Sequence, residues 1–208
     1  MTITIFGASG KVGRLVVEQL LQNGHKVTIF VHSNSPFDAS DQVRVVKGDV
    51  HDSTAVSEAV RGSDAVISTL GSWHTPTKDI LSAAMKSVIP AMENEGSTRI
   101  ITLTGSGAWA PDEHISFGNR VQHGVFTLVA GKIIQDSEEH LRLLAKSGLD
   151  WTCVRAPVMK AGPATEYTLT TDLPKPWEII PRATVAKAIV DLVADDHFSQ
   201  RAPHLHAK

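Results

Sequence analysis

The sequence predicts an α/β protein: a doubly wound, parallel sheet flanked by helices, with a small C-terminal segment on the substrate side. Three observations carry this. Short β-branched runs alternate with helix-patterned stretches over residues 2–194, and strands joined through helices pair in parallel with right-handed crossovers. The run at 99–103 is apolar on successive residues, as suits a strand covered on both faces. The run Gly7-Ala8-Ser9-Gly10-Lys11-Val12-Gly13 stands between a strand candidate and an amphipathic stretch.

The elements follow in order. Residues 2–6 read as the first strand, 11–21 as the first helix and 26–31 as the second strand, after Gly24-His25 ends the helix. The third strand is 43–46. Asp52-Ser53 caps a short helix at 54–60, because a short polar side chain there accepts from the free first-turn N–H groups. Residues 65–69 are the fourth strand, 77–92 a helix with Thr77 as cap, and 99–103 the fifth strand. The Gly, Pro, Asp and His content of 104–120 predicts a long loop. Helical spacing returns over 126–146, with a break near Gly131, and 151–154 is the sixth strand. The Pro- and Thr-rich stretch 157–178 is expected to hold a small strand pair, 166–170 with 178–180. Residues 184–194 form the last helix, and the tail from 195 to 208 reads as loose. No repeat or linker divides the chain, so one domain is expected over residues 1–208.

Composition narrows the function classes. The chain has 208 residues and a formal net charge of −2, without a basic stripe, so neither nucleic acid nor an anionic membrane surface is expected as a partner. No apolar run approaches the roughly 20 residues of a membrane span. The single cysteine, Cys153, lies in an apolar run and reads as a buried structural thiol in a reducing, cytoplasmic setting. Ten histidines are present but scattered without ligand spacing, so no metal is predicted.

The glycine run points to a nucleotide pyrophosphate. A tight turn brings bare backbone N–H groups to a helix N-terminus, where the dipole favours negative charge. A side chain at the glycines would block phosphate approach or forbid positive φ. Gly7, Ser9, Gly10, Lys11, Val12 and Gly13 are therefore the candidate cradle, and the rest of the ligand should cross the C-terminal strand ends. After the second strand the sequence reads Val31-His32-Ser33-Asn34-Ser35. It lacks the acid that would hold a ribose 2′-OH, so NADP(H) is expected over NAD(H), its phosphate met by His32, Ser33 and their polar neighbours, with Lys11 or Arg14 assisting.

Asp49 can accept from an adenine amino group while Val50 packs its ring, the bland alternative being an ordinary turn aspartate. Thr69, Leu70 and Gly71 would run beside the ribose and pyrophosphate. Thr104 and Ser106 could reach the nicotinamide ribose or a substrate carbonyl, and Arg155 and Pro157 would flank the nicotinamide. Trp73, Trp109, Phe117 and Phe126 could wall a flat ring, or simply pack. His74, His114 and His123 are candidate proton donors on the same face.

Gly7-Ala8-Ser9-Gly10-x-x-Gly13, Gly48-Asp49-Val50, residues 64–71 and Ser147-Gly148-Leu149-Asp150-Trp151-Thr152-Cys153-Val154-Arg155-Ala156-Pro157 together resemble the atypical short-chain dehydrogenase/reductases with one Rossmann-like NAD(P)H-binding domain. Within that group the chain is similar to the NmrA-like and flavin reductase/biliverdin reductase B-like proteins. Asp136 and Pro181-Arg182-Ala183-x-Val185-Ala186 fit the same pattern. The resemblance implies NADPH binding and reduction of a small planar acceptor such as a quinone or a flavin, FMN or FAD serving as substrate. It also admits a non-catalytic redox sensor that acts through a protein partner.

One departure is informative. Tyrosine-based members use a Tyr-x-x-x-Lys pair, but the only tyrosine here, Tyr167, is followed by Thr168-Leu169-Thr170-Thr171. Lys132 lies five residues before the position of the family's lysine, where Ser137 stands. Ser106 and Lys132 remain the candidate catalytic residues. Hydride transfer to a flavin needs no protein acid, since the cofactor carries the hard step.

Overall fold

β1 (Thr2–Phe6) sends Ile3 and Ile5 to one face of a sheet and Thr4 and Phe6 to the other, and that division organises the molecule. The computed structural model describes residues 1–73, 75, 77–111, 113, 117–175 and 177–208, with backbone only at 117–129. After α1 (Lys11–Gln22) come β2 (Lys26–Val31), β3 (Val43–Lys47), α2 (Ser53–Val60), β4 (Ala65–Ser68) and α3 (Ile80–Glu95). Then follow β5 (Arg99–Gly105), α4 (Phe117–Lys146), β6 (Asp150–Ala156), β7 (Val158–Lys160), β8 (Tyr167–Thr170), β9 (Ile179–Pro181), α5 (Arg182–Asp191) and β10 (His204–Ala207).

The main sheet runs β3-β2-β1-β4-β5-β6-β10-β8. Every neighbour pairs in parallel except β8, which lies antiparallel on β10. This is the Rossmann-like α/β fold. Strand order reverses between β1 and β4, which opens a crevice over their C-terminal ends. α1 and α5 pack together against Ile3, Ile5, Ile29, Ile67, Ile101 and Val154. On the other face α2, α3 and α4 cover Phe6, Phe30, Val66, Ile100, Trp151 and Cys153. Cys153 is fully buried, and burial pushes its thiol up to about 11, so it is an inert core residue.

Asp52 caps α2 as expected, its Oδ1 accepting from Thr54 and Ala55 N–H at 3.0 and 3.2 Å. α3 departs from expectation. It starts at Ile80, and its N-cap, Asp79, makes no side-chain cap bond. Its first-turn N–H groups bond instead to Asp136 of α4, 54 and 55 residues away.

α4 begins at Phe117, inside the segment expected to be loop, and the expected break falls at Ala130 (φ −129°, ψ 27°). The strand pair expected between 166–170 and 178–180 does not form. β8 instead pairs with β10 at the edge of the main sheet, and β9 with β7 in a separate two-stranded sheet, each with a partner more distant along the chain. The tail is not loose. Residues 204–207 add a strand between β6 and β8, and Arg201 bridges Thr152. Its anchors, His204 and Leu205, are wholly buried. No helix among the described residues is long and apolar enough to cross a membrane.

Candidate active site

The glycine run lies at the C-terminal end of β1. Gly7 adopts φ +86°, and a Cβ there would stand 2.7 Å from the Thr69 carbonyl carbon and 2.8 Å from Leu70 N. A Cβ on Gly13 would collide with the Gly7 carbonyl oxygen. Gly7 and Gly13 thus let the β1–α1 turn press against the chain leaving β4. Gly10 is different: it is exposed, its N–H donates to Gly7 O at 2.9 Å, and it opens α1 without any side-chain cap. The first turn of α1 therefore presents bare N–H groups beside exposed Ser9, Gly10 and Lys11.

Arg14 lies exposed over this turn and donates from Nε to Ser9 O at 3.3 Å. Val12 is buried in the core, so only its backbone faces the turn. Open space at the Cβ positions of Gly71, Gly105 and Gly107 leaves the backbone after β4 and β5 unobstructed. An uncapped helix start and open glycine backbone fit a dinucleotide.

Thr69 ties this arrangement together. Its N–H donates to Phe6 O at 2.9 Å, and its Oγ1 lies 3.2 Å from both Phe6 O and Gly7 O as donor. After β2, His32 and Ser33 are exposed. His32 Nε2 stands 3.5 Å from Asp49 Oδ2, while Asp49 Oδ1 accepts from His51 N–H at 2.9 Å. Asp49 is thus half-exposed, with one oxygen used by its own turn. The Val50 side chain is largely buried, packed in one cluster with Phe30, Val46 and Val56.

Thr104 pairs in register with Arg155, and Gly105 with Ala156, which brings Thr104, Ser106 and Pro157 to adjacent strand ends. The Thr104 hydroxyl is buried and has no partner among the described residues. Ser106 N–H donates to Ala156 O at 2.9 Å.

Arg155 is committed to the protein interior. Its guanidinium is 3% exposed and turned into the protein, donating from Nη1 and Nη2 to Glu113 at 2.6 and 3.0 Å, from Nη1 to Ala108 O and from Nε to Ala202 O. It ties Ala108 and Glu113 to the chain that enters β10 at Ala202. Burial alone would raise the Glu113 carboxyl; the His204 ring at 3.7 Å and the Arg155 guanidinium overcome it and hold the pKa at about 2.

Lys132 is exposed on α4, and Ser137, at the family's lysine position, donates its hydroxyl to Ile133 O. Tyr167 lies on β8. Its hydroxyl donates to Asp191 at 2.7 Å, Lys187 bonds the same carboxylate oxygen, and the Lys187 ammonium sits 5.1 Å from the ring centre. Burial first, then that acceptor, pushes the phenol above its ordinary value, the reverse of what a proton-donating tyrosine needs.

Trp73 is exposed and Trp109 half-buried. The side chains of Phe117, Phe126 and His123, and all of His74 and His114, lie outside the described residues. Sequence reasoning missed the bracing of Ser72, Trp73 and Thr75. Asp136 accepts from Ser72 Oγ at 2.6 Å, and Lys78 Nζ donates to the carbonyls of Ser72, Trp73 and Thr75. Only the match of Asp136 to a family pattern hinted at it.

A sequence profile described as NAD(P)H-binding matches residues 7–196. The chain belongs to this NAD(P)H-binding family. Among curated relatives it is 32% identical over 114 residues to the uncharacterized protein YwnB of Bacillus subtilis, a match covering 54% of this chain and 51% of that protein. The chain thus spans about half the length of that relative.

Solved structures of similar fold include ChuY, an anaerobillin reductase of Escherichia coli O157:H7 (TM-score 0.78, 23% identity, 100% of this chain and 97% of that one). Another is a wide-type short-chain dehydrogenase/reductase of Veillonella parvula in complex with NADP (TM-score 0.77, 20% identity, 99% and 94%). At these identities the likeness is one of fold, and it agrees with the resemblance carried by residues 7–13 and 147–157.

Proposed function

We propose that this protein is an NADPH-dependent reductase that passes hydride to a small planar acceptor, a quinone or a flavin such as FMN or FAD, without a tyrosine–lysine proton donor. The observation that carries the reading is the pairing of an open, uncapped glycine cradle with the engagement of Tyr167 by Asp191. Gly7, Gly10 and Gly13 with the first-turn N–H groups of α1 would hold the pyrophosphate. Asp49 would accept from the adenine amino group, and residues 69–71 would line the ribose.

His32, Ser33, Lys11 and Arg14 would meet a 2′-phosphate, since no acid stands among residues 32–35 directly after β2. Bound NADPH supplies the hydride. Thr104 Oγ1, a buried hydroxyl with no partner among the described residues, would orient the nicotinamide side, with Ser106 and Pro157 bounding the acceptor. An acceptor that takes hydride into a conjugated ring and its proton from water asks nothing more of the protein.

Calorimetry with NADP⁺ and NAD⁺ tests the cofactor assignment: affinity for NADP⁺ should exceed that for NAD⁺ by about tenfold or more, which is about 1.4 kcal/mol. Equal affinities would refute the role given to the His32–Ser33 loop. Steady-state NADPH oxidation with FMN and a panel of quinones tests the reaction.

A second reading, a cofactor-binding redox sensor, is favoured by one observation. Trp73, Trp177, Val158 and Ile179 are exposed large apolar side chains on the segments that follow β4 and β6. Micromolar NADPH binding without turnover on any acceptor would decide for it.

A further inference from the structure

We propose that Asp136 is a positioning residue for the dinucleotide site, acting through Ser72 and the chain leaving β4. This rests on the cofactor site described above and not on the acceptor reaction. Asp136 sits on α4, nearly fully buried, and its carboxylate serves two elements at once. Oδ2 accepts from Ser72 Oγ at 2.6 Å and from Leu81 N–H at 3.1 Å, and Oδ1 accepts from Ser82 N–H at 2.9 Å. The last two are first-turn groups of α3, which has no side-chain cap of its own. The carboxylate therefore replaces the missing cap, and negative charge is favoured at that end of a helix.

The Ser72 bond extends its reach to the glycine cradle. Ser72 lies three residues after Thr69, whose hydroxyl donates to Phe6 O and Gly7 O. The Thr69–Leu70 peptide stands where a Cβ on Gly7 would be, under 3 Å away. From α4 the line of contact runs Asp136, Ser72, the 69–71 backbone, Thr69, Gly7. Loosening Ser72 frees the segment that holds the cradle's first glycine in its left-handed conformation. Lys78 secures the carbonyls of Ser72, Trp73 and Thr75, beyond Thr69 along the chain.

The two duties separate by mutation. Ser72→Ala removes only the link to the cradle and leaves both α3 N–H bonds in place. Asp136→Asn disturbs both duties. By NADPH fluorescence titration, Ser72→Ala should weaken cofactor binding about five- to tenfold, with a fall in Tm smaller than that of Asp136→Asn. Asp136→Asn should weaken it at least as much and lower Tm further. The double variant should bind no worse than Asp136→Asn, because the two residues lie on one path. If Ser72→Ala binds NADPH within twofold of wild type, Asp136 is a helix cap alone and the proposal is overturned, whether or not Asp136→Asn folds. The readout is binding, so a protein that reduces no acceptor still tests it.

Discussion

Gly7 is the residue at which backbone conformation, packing and ligand approach meet. Its φ of +86° is strained for any side chain, and a Cβ there has backbone atoms under 3 Å away. Gly7→Ala should cost about 3 kcal/mol or more, one part from left-handed strain and another from displacing the Thr69–Leu70 peptide. Thermal unfolding should show this as a clear fall in Tm, with NADPH affinity lost alongside. An unchanged Tm would mean that the turn relaxes at no cost.

The need for glycine here was legible in the sequence, because strand, glycine turn and helix occur in that order. The roles of Arg155 and Val50 were not. An arginine after a strand looks the same whether it reaches into a cleft or back to Glu113, and the choice is made by residues 42 positions away.

Local elements were legible where local chemistry sets them. The Asp52 cap, the parallel strands and the break beside Gly131 follow from side-chain type and spacing, and each is present. Elements completed from a distance were not. The cap of α3 comes from α4, and β10 was read as loose because His204-Leu205-His206-Ala207 is too short to show a strand pattern. Its stability comes from lying between β6 and β8.

Removing residues 201–208 would strip β8 of its neighbour, expose the space filled by Leu205 and take the Ala202 carbonyl from Arg155. A buried leucine and a buried charged donor together should amount to at least about 4 kcal/mol. Circular dichroism of the truncated chain should show a large fall in Tm or loss of the cooperative transition. A Tm within a few degrees of the intact chain would show that the strand adds little.

At the scale of the whole molecule, pH stability follows from groups that only the packed structure perturbs. His140 is fully buried on α4 with both ring nitrogens unpartnered among the described residues. Burial lowers its pKa to about 4, against the pull of Asp136. The folded pKa is therefore depressed, so the unfolded chain binds more protons between pH 6.5 and 4. Stability is full above that window and falls as pH falls through it. From pH 7.5 to 5 the loss should be about 2 kcal/mol, or about 4–8 °C in Tm for a chain of this size. His140→Leu should flatten that slope, and equal slopes in the two proteins would refute the assignment. Glu113 acts in a lower window: its depressed carboxyl gives stability that is present above about pH 4.5 and lost toward pH 2.

The sequence by itself determined the alternating strands and helices, the glycine cradle and hence membership of an NAD(P)H-binding fold. Each of these depends on neighbours within a few residues: backbone freedom, side-chain periodicity and short polar caps. Tertiary structure alone decided which polar residues stay open to a ligand. Lys11, Arg14 and His32 remain exposed, whereas Arg155, Asp136 and Tyr167 are taken by partners. The physical reason is that burial makes an unpaired charge or hydroxyl costly, and the partners that relieve that cost for Arg155, Asp136 and Tyr167 are brought near by the fold and not by the chain.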